Sequence, residues 1–163
     1  MPAYPLMFTF RDAVSGNGFL AGITLSGRAL MIPEEDQKWW IYGVRPGAIA
    51  ETGETPQEAY LRFRNTYKNV LFDIASESAD YEAFKAEVER FYSQPDGEEE
   101  LCWTLAVETL RSGSLVPEPP FESLPKEPPE NRPSSIAVMR LDIAQRFTAS
   151  DNVPDTYAVA SVA

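Results

Sequence analysis

The sequence contains no histidine and a single cysteine, Cys102. The lack of histidine excludes a Ser-His-Asp triad, a Cys-His pair and any histidine acid–base step, and it removes a common zinc ligand. One cysteine can form neither an internal disulfide nor a paired-cysteine metal motif, so we predict a protein of a reducing, cytoplasmic compartment. We interpret Cys102 as a core residue, because free cysteine is usually buried.

Long hydrophobic runs are also missing from the sequence. No stretch approaches the ~18 apolar residues that a membrane-spanning helix needs. The N-terminus carries neither the charged start nor the apolar run of a secretory signal. We therefore expect no membrane partner.

Basic residues are scarce, with 14 Lys and Arg against 25 Asp and Glu, which gives a net charge of -11. Protein affinity for nucleic acid comes largely from Lys and Arg, so the composition disfavours nucleic acid and favours a basic protein as partner. Residues 77–130 hold 14 acidic and four basic residues, and therefore carry most of the negative charge. Such a field accelerates encounter with a cationic molecule.

The 163 residues, 44% of them hydrophobic, suffice for one folded domain with a short extension. Seven of the 14 prolines lie in the segment from Pro117 to Pro133, which disfavours helix and central strand there. We predict a domain over 1–115, a proline-rich linker or strap over 116–133, and a short C-terminal segment over 134–163. Phe121 and Leu124 are the apolar residues through which a strap would dock.

Apolar patterning predicts an α+β fold. Residues 1–54 contain three to four candidate strands, which we expect to form an antiparallel sheet. Thr55-Pro56-Gln57-Glu58 has the form of a capping box, so an amphipathic helix should begin at residue 55 or 56 and cover the sheet. Two further, acidic helices are expected within an insertion at 77–113. Residues 136–139 are compatible with either a helix or a strand, and residues from 157 onward with an edge strand.

Two sets of charged residues define alternative functions. The acids near the strand–helix core are Asp12, Glu51 and Asp73. Their spacing predicts no convergence on an ion, so we expect no metal site, no cofactor and no catalytic residue; a divergent metal-dependent nuclease is the alternative. The basic residues along the first predicted helix are Arg62, Arg64 and Lys68. They would serve an RNA-binding regulator, although no stacking surface of aromatic residues accompanies them.

Adjacent tryptophans mark the strand over residues 39–44. Neighbouring side chains on a strand point to opposite faces, so one tryptophan can join the core while the other is exposed as an anchor for another protein. The glutamate run at 98–100 falls at a predicted helix start, inside the acidic segment. The candidate partner-binding residues are Trp39, Trp40, Glu98, Glu99 and Glu100.

Residues 46–59, PGAIAETGETPQEA, resemble the N-terminal domain of HicB-type antitoxins. The matching positions are Pro46, Gly47, Gly53, Glu54, Thr55, Glu58 and Ala59, with Gly18 and Ala21 in an earlier strand. The resemblance covers about residues 6–75. It implies a degraded RNase H-like domain without catalytic duty, which covers a basic RNA-cleaving toxin of the HicA type and often self-associates. We therefore expect a non-enzymatic protein-interaction module that dimerises through a strand edge or the tryptophan strand.

Overall fold

A computed structural model describes residues 2–94, 97–118, 121, 135–142 and 157–159. Within these residues the chain forms six strands and three helices, and four of the strands precede the first helix. The α+β fold that the patterning predicts is therefore confirmed. The elements are β1 (Tyr4–Gly16), β2 (Phe19–Pro33), β3 (Trp39–Arg45), β4 (Ala50–Gly53), α1 (Pro56–Glu77), α2 (Tyr81–Tyr92), α3 (Gly97–Arg111), β5 (Ser135–Arg140) and β6 (Tyr157–Val159).

β1 and β2 form one long antiparallel hairpin, in register from Tyr4 opposite Met31 to Gly16 opposite Phe19. The turn between them ends at Gly18, whose φ of 75° lies in a region that residues with a side chain rarely adopt. Alternate side chains of each strand point to the same face, so the apolar positions of the hairpin present one continuous surface for the core.

The sheet has the order β4-β3-β2-β1-β6, with β5 as a further partner of β2. β3 and β5 divide β2 between them: β5 pairs with residues 21–26, and β3 with residues 28–33. β3 is paired with β2 along one edge and, over residues 39–42, with β4 along the other, so the two tryptophans lie between paired strands. The homodimer itself stays a prediction.

α1 and α2 cover one face of the sheet and bury most of the core. Phe63 and Tyr67 of α1 are fully buried, and their rings meet those of Phe8 and Phe10 edge-on at centroid distances of 5.2 and 4.7 Å. Each such burial contributes roughly 1.5–3 kcal/mol. α3 lies on the opposite face, where Ala106 packs with apolar residues of β2 and β3. The sheet is thus the middle of three layers.

α1 begins as the capping box predicts, with one difference in its bonding. The Thr55 side chain accepts a hydrogen bond from the Glu58 N–H at 3.1 Å, and Pro56 occupies the first turn. The Glu58 carboxylate accepts from the N–H of Glu54 at 2.8 Å, one residue earlier than in the standard reciprocal pair. Both side chains still satisfy backbone donors at the helix start.

Phe121, in the proline-rich segment, packs into the core, where its ring stacks on Tyr4 at 4.2 Å. Leu124, the other predicted docking residue, lies outside the described residues. Residues 136–139, which the sequence allowed as either a helix or a strand, form part of the strand β5. Tyr157–Val159 pairs with β1. In the part of the chain that the structure describes, no helix is both long and apolar enough to cross a membrane.

Candidate functional site: an acidic aromatic patch

The carboxylates considered as metal ligands take part in contacts within the fold. An oxygen of Asp12 lies 3.1 Å from the Lys68 ammonium group, and Glu51 accepts a hydrogen bond from Thr66. Asp73 is exposed on α1. Over the described ranges, no three residues of the types that bind metal are grouped so that they could hold an ion.

The basic residues of α1 contact different partners within the fold. Arg62 donates to the carbonyl oxygen of Thr52 in β4 at 3.1 Å and pairs with Glu58 at 2.6 Å. The Arg64 guanidinium lies 5.8 Å from the centre of the Phe10 ring, and Lys68 is held by the ion pair with a strand carboxylate. These contacts divide the charges between the edge and the core side of the sheet.

Cys102 is exposed on α3, so its interpretation as a core residue is wrong. α3 meets the sheet through Trp103, Ala106 and the residues one turn further on, and Cys102 lies beside this stripe. The sequence does not indicate which side of α3 faces the sheet, because apolar residues occur on more than one side of this helix.

The two neighbouring tryptophans lie on opposite faces of β3. The Trp39 ring packs against the main core, with centroid distances of 6.2 Å to Tyr4 and 5.7 Å to Phe121. Trp40 points to the other face, where it stacks on Tyr42 at 5.9 Å with only 14° between the ring planes. Both tryptophans are half-buried. Trp40, which shares a face with α3, is therefore the tryptophan that lies outside the core.

One carboxylate contacts the stacked pair, and a second acts on Tyr42 through its charge. The Tyr42 hydroxyl donates to Glu34 at 3.4 Å, and burial, followed by the negative charges of Glu34 and Glu99, raises the pKa of Tyr42. Glu99 belongs to the first turn of α3, so one residue of the glutamate run acts on Tyr42 through its charge. We call Glu34, Trp40, Tyr42 and Glu99 the acidic aromatic patch.

The other two glutamates of the run diverge from this patch. Successive residues of an α-helix point in directions about 100° apart, so three in a row cannot share one face. Glu98 is exposed, and Glu100 is half-buried on another side of α3. Of the five candidate residues, Trp40 stacks on Tyr42 and Glu99 acts on Tyr42 through its charge, whereas Trp39 lies on the opposite face of β3.

Sequence reasoning missed Glu34 and Tyr42. The alternation along β3 contained a signal for Tyr42, since residues 40 and 42 of one strand must share a face. Glu34 follows β2 in a loop with several acidic residues, and only the folded loop shows which of them meets the strand.

The patch has the chemistry of a site for a cation. Aromatic faces attract Lys and Arg by ~0.5–2 kcal/mol, and a carboxylate beside the ring adds a charge-assisted hydrogen bond. Trp, Tyr and Arg are also the residue types that dominate binding energy in protein interfaces. The arrangement therefore suits a basic side chain presented by another protein.

Comparison with known proteins gives no match. No protein-family model matches the sequence, and no curated protein and no solved structure is detectably similar to it.

Proposed function

We propose that this chain is a non-enzymatic protein-interaction module that binds a basic partner protein through the acidic aromatic patch. The observation that carries the proposal is the stacked Trp40–Tyr42 pair on the sheet face that lies away from the main core, with Glu34 bonded to Tyr42 and the charge of Glu99 acting on it. The net charge of -11 supports it, because the field of the whole chain attracts a cationic protein.

The resemblance of residues 46–59 to HicB-type antitoxins indicates which class of protein the partner belongs to. On that resemblance, the partner is a small basic toxin of the HicA type, and this chain acts by covering it. The patch lies outside the matching residues, so its role does not follow from the resemblance. The HicA-type toxin is thus a specific case of the basic partner protein proposed above.

Recovery of the partner from the native host tests the proposal. A tagged form of the full chain is purified at low ionic strength, and the proteins that accompany it are identified by mass spectrometry. We expect a stoichiometric basic protein that is released when salt is raised, because salt screens the attraction between exposed charges. A chain that elutes alone, or with acidic proteins only, contradicts the proposal.

Charge-reversal variants provide the matched control. Glu34→Lys combined with Glu99→Lys should abolish recovery of the partner, since both negative charges act on Tyr42 of the patch. Glu77→Lys combined with Glu82→Lys changes the net charge equally, at exposed positions on α1 and α2. We expect this second variant to retain the partner. Equal loss in both variants would show that overall charge, and not the patch, is responsible.

The metal-dependent nuclease alternative is tested with the same preparations. RNA cleavage that requires Mg²⁺ or Mn²⁺ and is lost in Asp12→Asn would replace the interaction proposal with an enzymatic one.

A further inference from the structure

α3 carries apolar residues on its outward side as well as on the side that faces the sheet. The inward stripe is formed by Trp103, Ala106, Val107 and Leu110. Outside it, Leu101 and Leu105 are 69% and 61% exposed. They are four residues apart and therefore lie one above the other, as a ridge along the helix. A helix that covers a sheet typically has polar residues along its outward side, and Leu101 and Leu105 depart from that pattern.

A groove runs beside the ridge. It has a volume of about 510 Å³ and lies between α3, the start of β1 and the segment that follows α3. Its lining is mostly apolar and includes Pro2, Ala3, Cys102, Leu105 and Leu115. Volumes of ~300–1,000 Å³ are typical of sites that take up ligands or side chains. The ridge and the groove together form a surface of the shape that accepts an amphipathic helix.

The charges around this surface indicate what would cover it. Glu98 and Glu108 lie in the same row of α3 as the two leucines, one at each end of the ridge, and both are exposed. A second copy of this chain would bring its own charge of -11 and the same glutamates to the contact. Like charges that face each other across an interface oppose association, whereas a cationic partner would be attracted. Charge complementarity therefore selects a basic occupant.

We propose that the ridge and groove of α3 bind an amphipathic, basic helix of a partner protein. Leu-like side chains of that helix enter the groove beside Leu105, and its Lys or Arg residues pair with Glu98 and Glu108. This site uses the outward side of α3 and is separate from the acidic aromatic patch. It goes beyond the proposed function and does not depend on it.

Cys102 allows binding in the groove to be measured directly. It is the only cysteine of the chain, it is exposed, and it lines the groove, so its alkylation by iodoacetamide reports access to this site. The probe is a short synthetic peptide of leucine and lysine arranged as an amphipathic helix. At saturation we expect this peptide to slow alkylation at least about tenfold. A scrambled peptide with the same composition and charge should leave the rate unchanged.

Substitutions separate the ridge from general attraction to an acidic protein. Leu101→Gln combined with Leu105→Gln should weaken the peptide's affinity roughly tenfold or more, since both anchors lose apolar contact. Glutamine is a good helix former, so α3 should be retained, which circular dichroism verifies. The control is Leu61→Gln, at a leucine of α1 that is 55% exposed, and we expect it to have no effect.

Three results would overturn the inference. The first is equal protection of Cys102 by the scrambled peptide. The second is an equal loss of affinity in Leu61→Gln. The third is a concentration-dependent dimer that dissociates in the Leu101→Gln, Leu105→Gln variant, because a second copy would then be the occupant. Trp40→Ala should leave the protection of Cys102 unchanged, so a failure here is distinguishable from a failure of the proposed function.

Discussion

Two buried tyrosines provide a matched test of the packing between the helices and the sheet. Tyr67 of α1 is fully buried, and within the described residues its hydroxyl has no hydrogen-bond partner. The hydroxyl of Tyr92 in α2 donates to the carbonyl oxygen of Ser26 in β2 at 2.9 Å. The same chemical change, Tyr to Phe, should therefore have different effects at the two positions.

The expected magnitudes follow from what each substitution leaves behind. Tyr92→Phe removes a hydrogen bond to a half-buried carbonyl of the sheet, and loss of such a bond costs ~0.5–1.5 kcal/mol of the free energy of unfolding. Tyr67→Phe removes a hydroxyl group that loses its hydrogen bonds to water on folding and forms none in their place. We expect the stability of this variant to be unchanged or higher by up to ~1 kcal/mol.

Urea titration of both variants, with m-values compared with that of the unsubstituted chain, gives the two free energies. Comparable destabilisation by Tyr67→Phe and Tyr92→Phe would refute the reasoning, since it would mean that the Tyr67 hydroxyl makes a hydrogen bond as strong as that of Tyr92.

Alkaline pH provides a second measurement on Tyr67. Burial, with a smaller contribution from neighbouring Tyr92, raises the pKa of Tyr67 in the folded chain. An unfolded tyrosine loses its proton near pH 10, so above that pH the folded state binds more protons and stability falls, by up to about 1.4 kcal/mol per pH unit. Below about pH 10 the raised pKa of Tyr67 has no effect on stability, and above that pH it lowers the free energy of unfolding. Tyr67→Phe should make the decline shallower, and an identical decline would contradict the burial argument.

Three further stability predictions follow from local geometry. Thr55→Ala should lower the free energy of unfolding by ~1 kcal/mol through loss of the α1 cap, while Thr55→Ser retains it; equal urea midpoints would contradict this. Gly53→Ala would place a Cβ 2.5 Å from the Ala59 nitrogen and should cost ~1–3 kcal/mol, whereas Gly97→Ala meets nothing within 4 Å; equal thermal midpoints would count against the contact. Phe121→Ala should cost ~3–5 kcal/mol in denaturant, and a cost near zero would show that this ring is not part of the core.

Local signals made most of the fold predictable. The start of α1 depends on four consecutive residues around Thr55, and the long hairpin follows from alternation of apolar residues on both sides of a glycine turn. Such patterns act within a few residues, so they can be read before any tertiary contact is known. The sequence indicated only that Phe121 could dock on the domain if the proline-rich segment forms a strap. The position of its ring depends on Tyr4, at the other end of the domain.

The acidic aromatic patch was predictable only in part. Trp40 and Glu99 were candidates for separate reasons, a strand anchor and an acidic helix start. The effect of Glu99 on Tyr42, beside Trp40, depends on α3 crossing to the face opposite α1, which no local pattern encodes. For the same reason the exposure of Cys102 was missed: α3 has apolar residues on two sides, and the sheet selects which side is buried.

The most direct test of the interaction proposal is the affinity of the recovered basic partner, measured by isothermal titration calorimetry. Trp40→Ala should weaken binding at least about tenfold, because a stacked aromatic anchor is lost from the centre of the patch. Phe72→Ala, at an aromatic residue of α1 that is 41% exposed, should bind as the unsubstituted chain does. Unchanged affinity in Trp40→Ala, with its fold intact by circular dichroism, would contradict the proposal that this patch binds the partner.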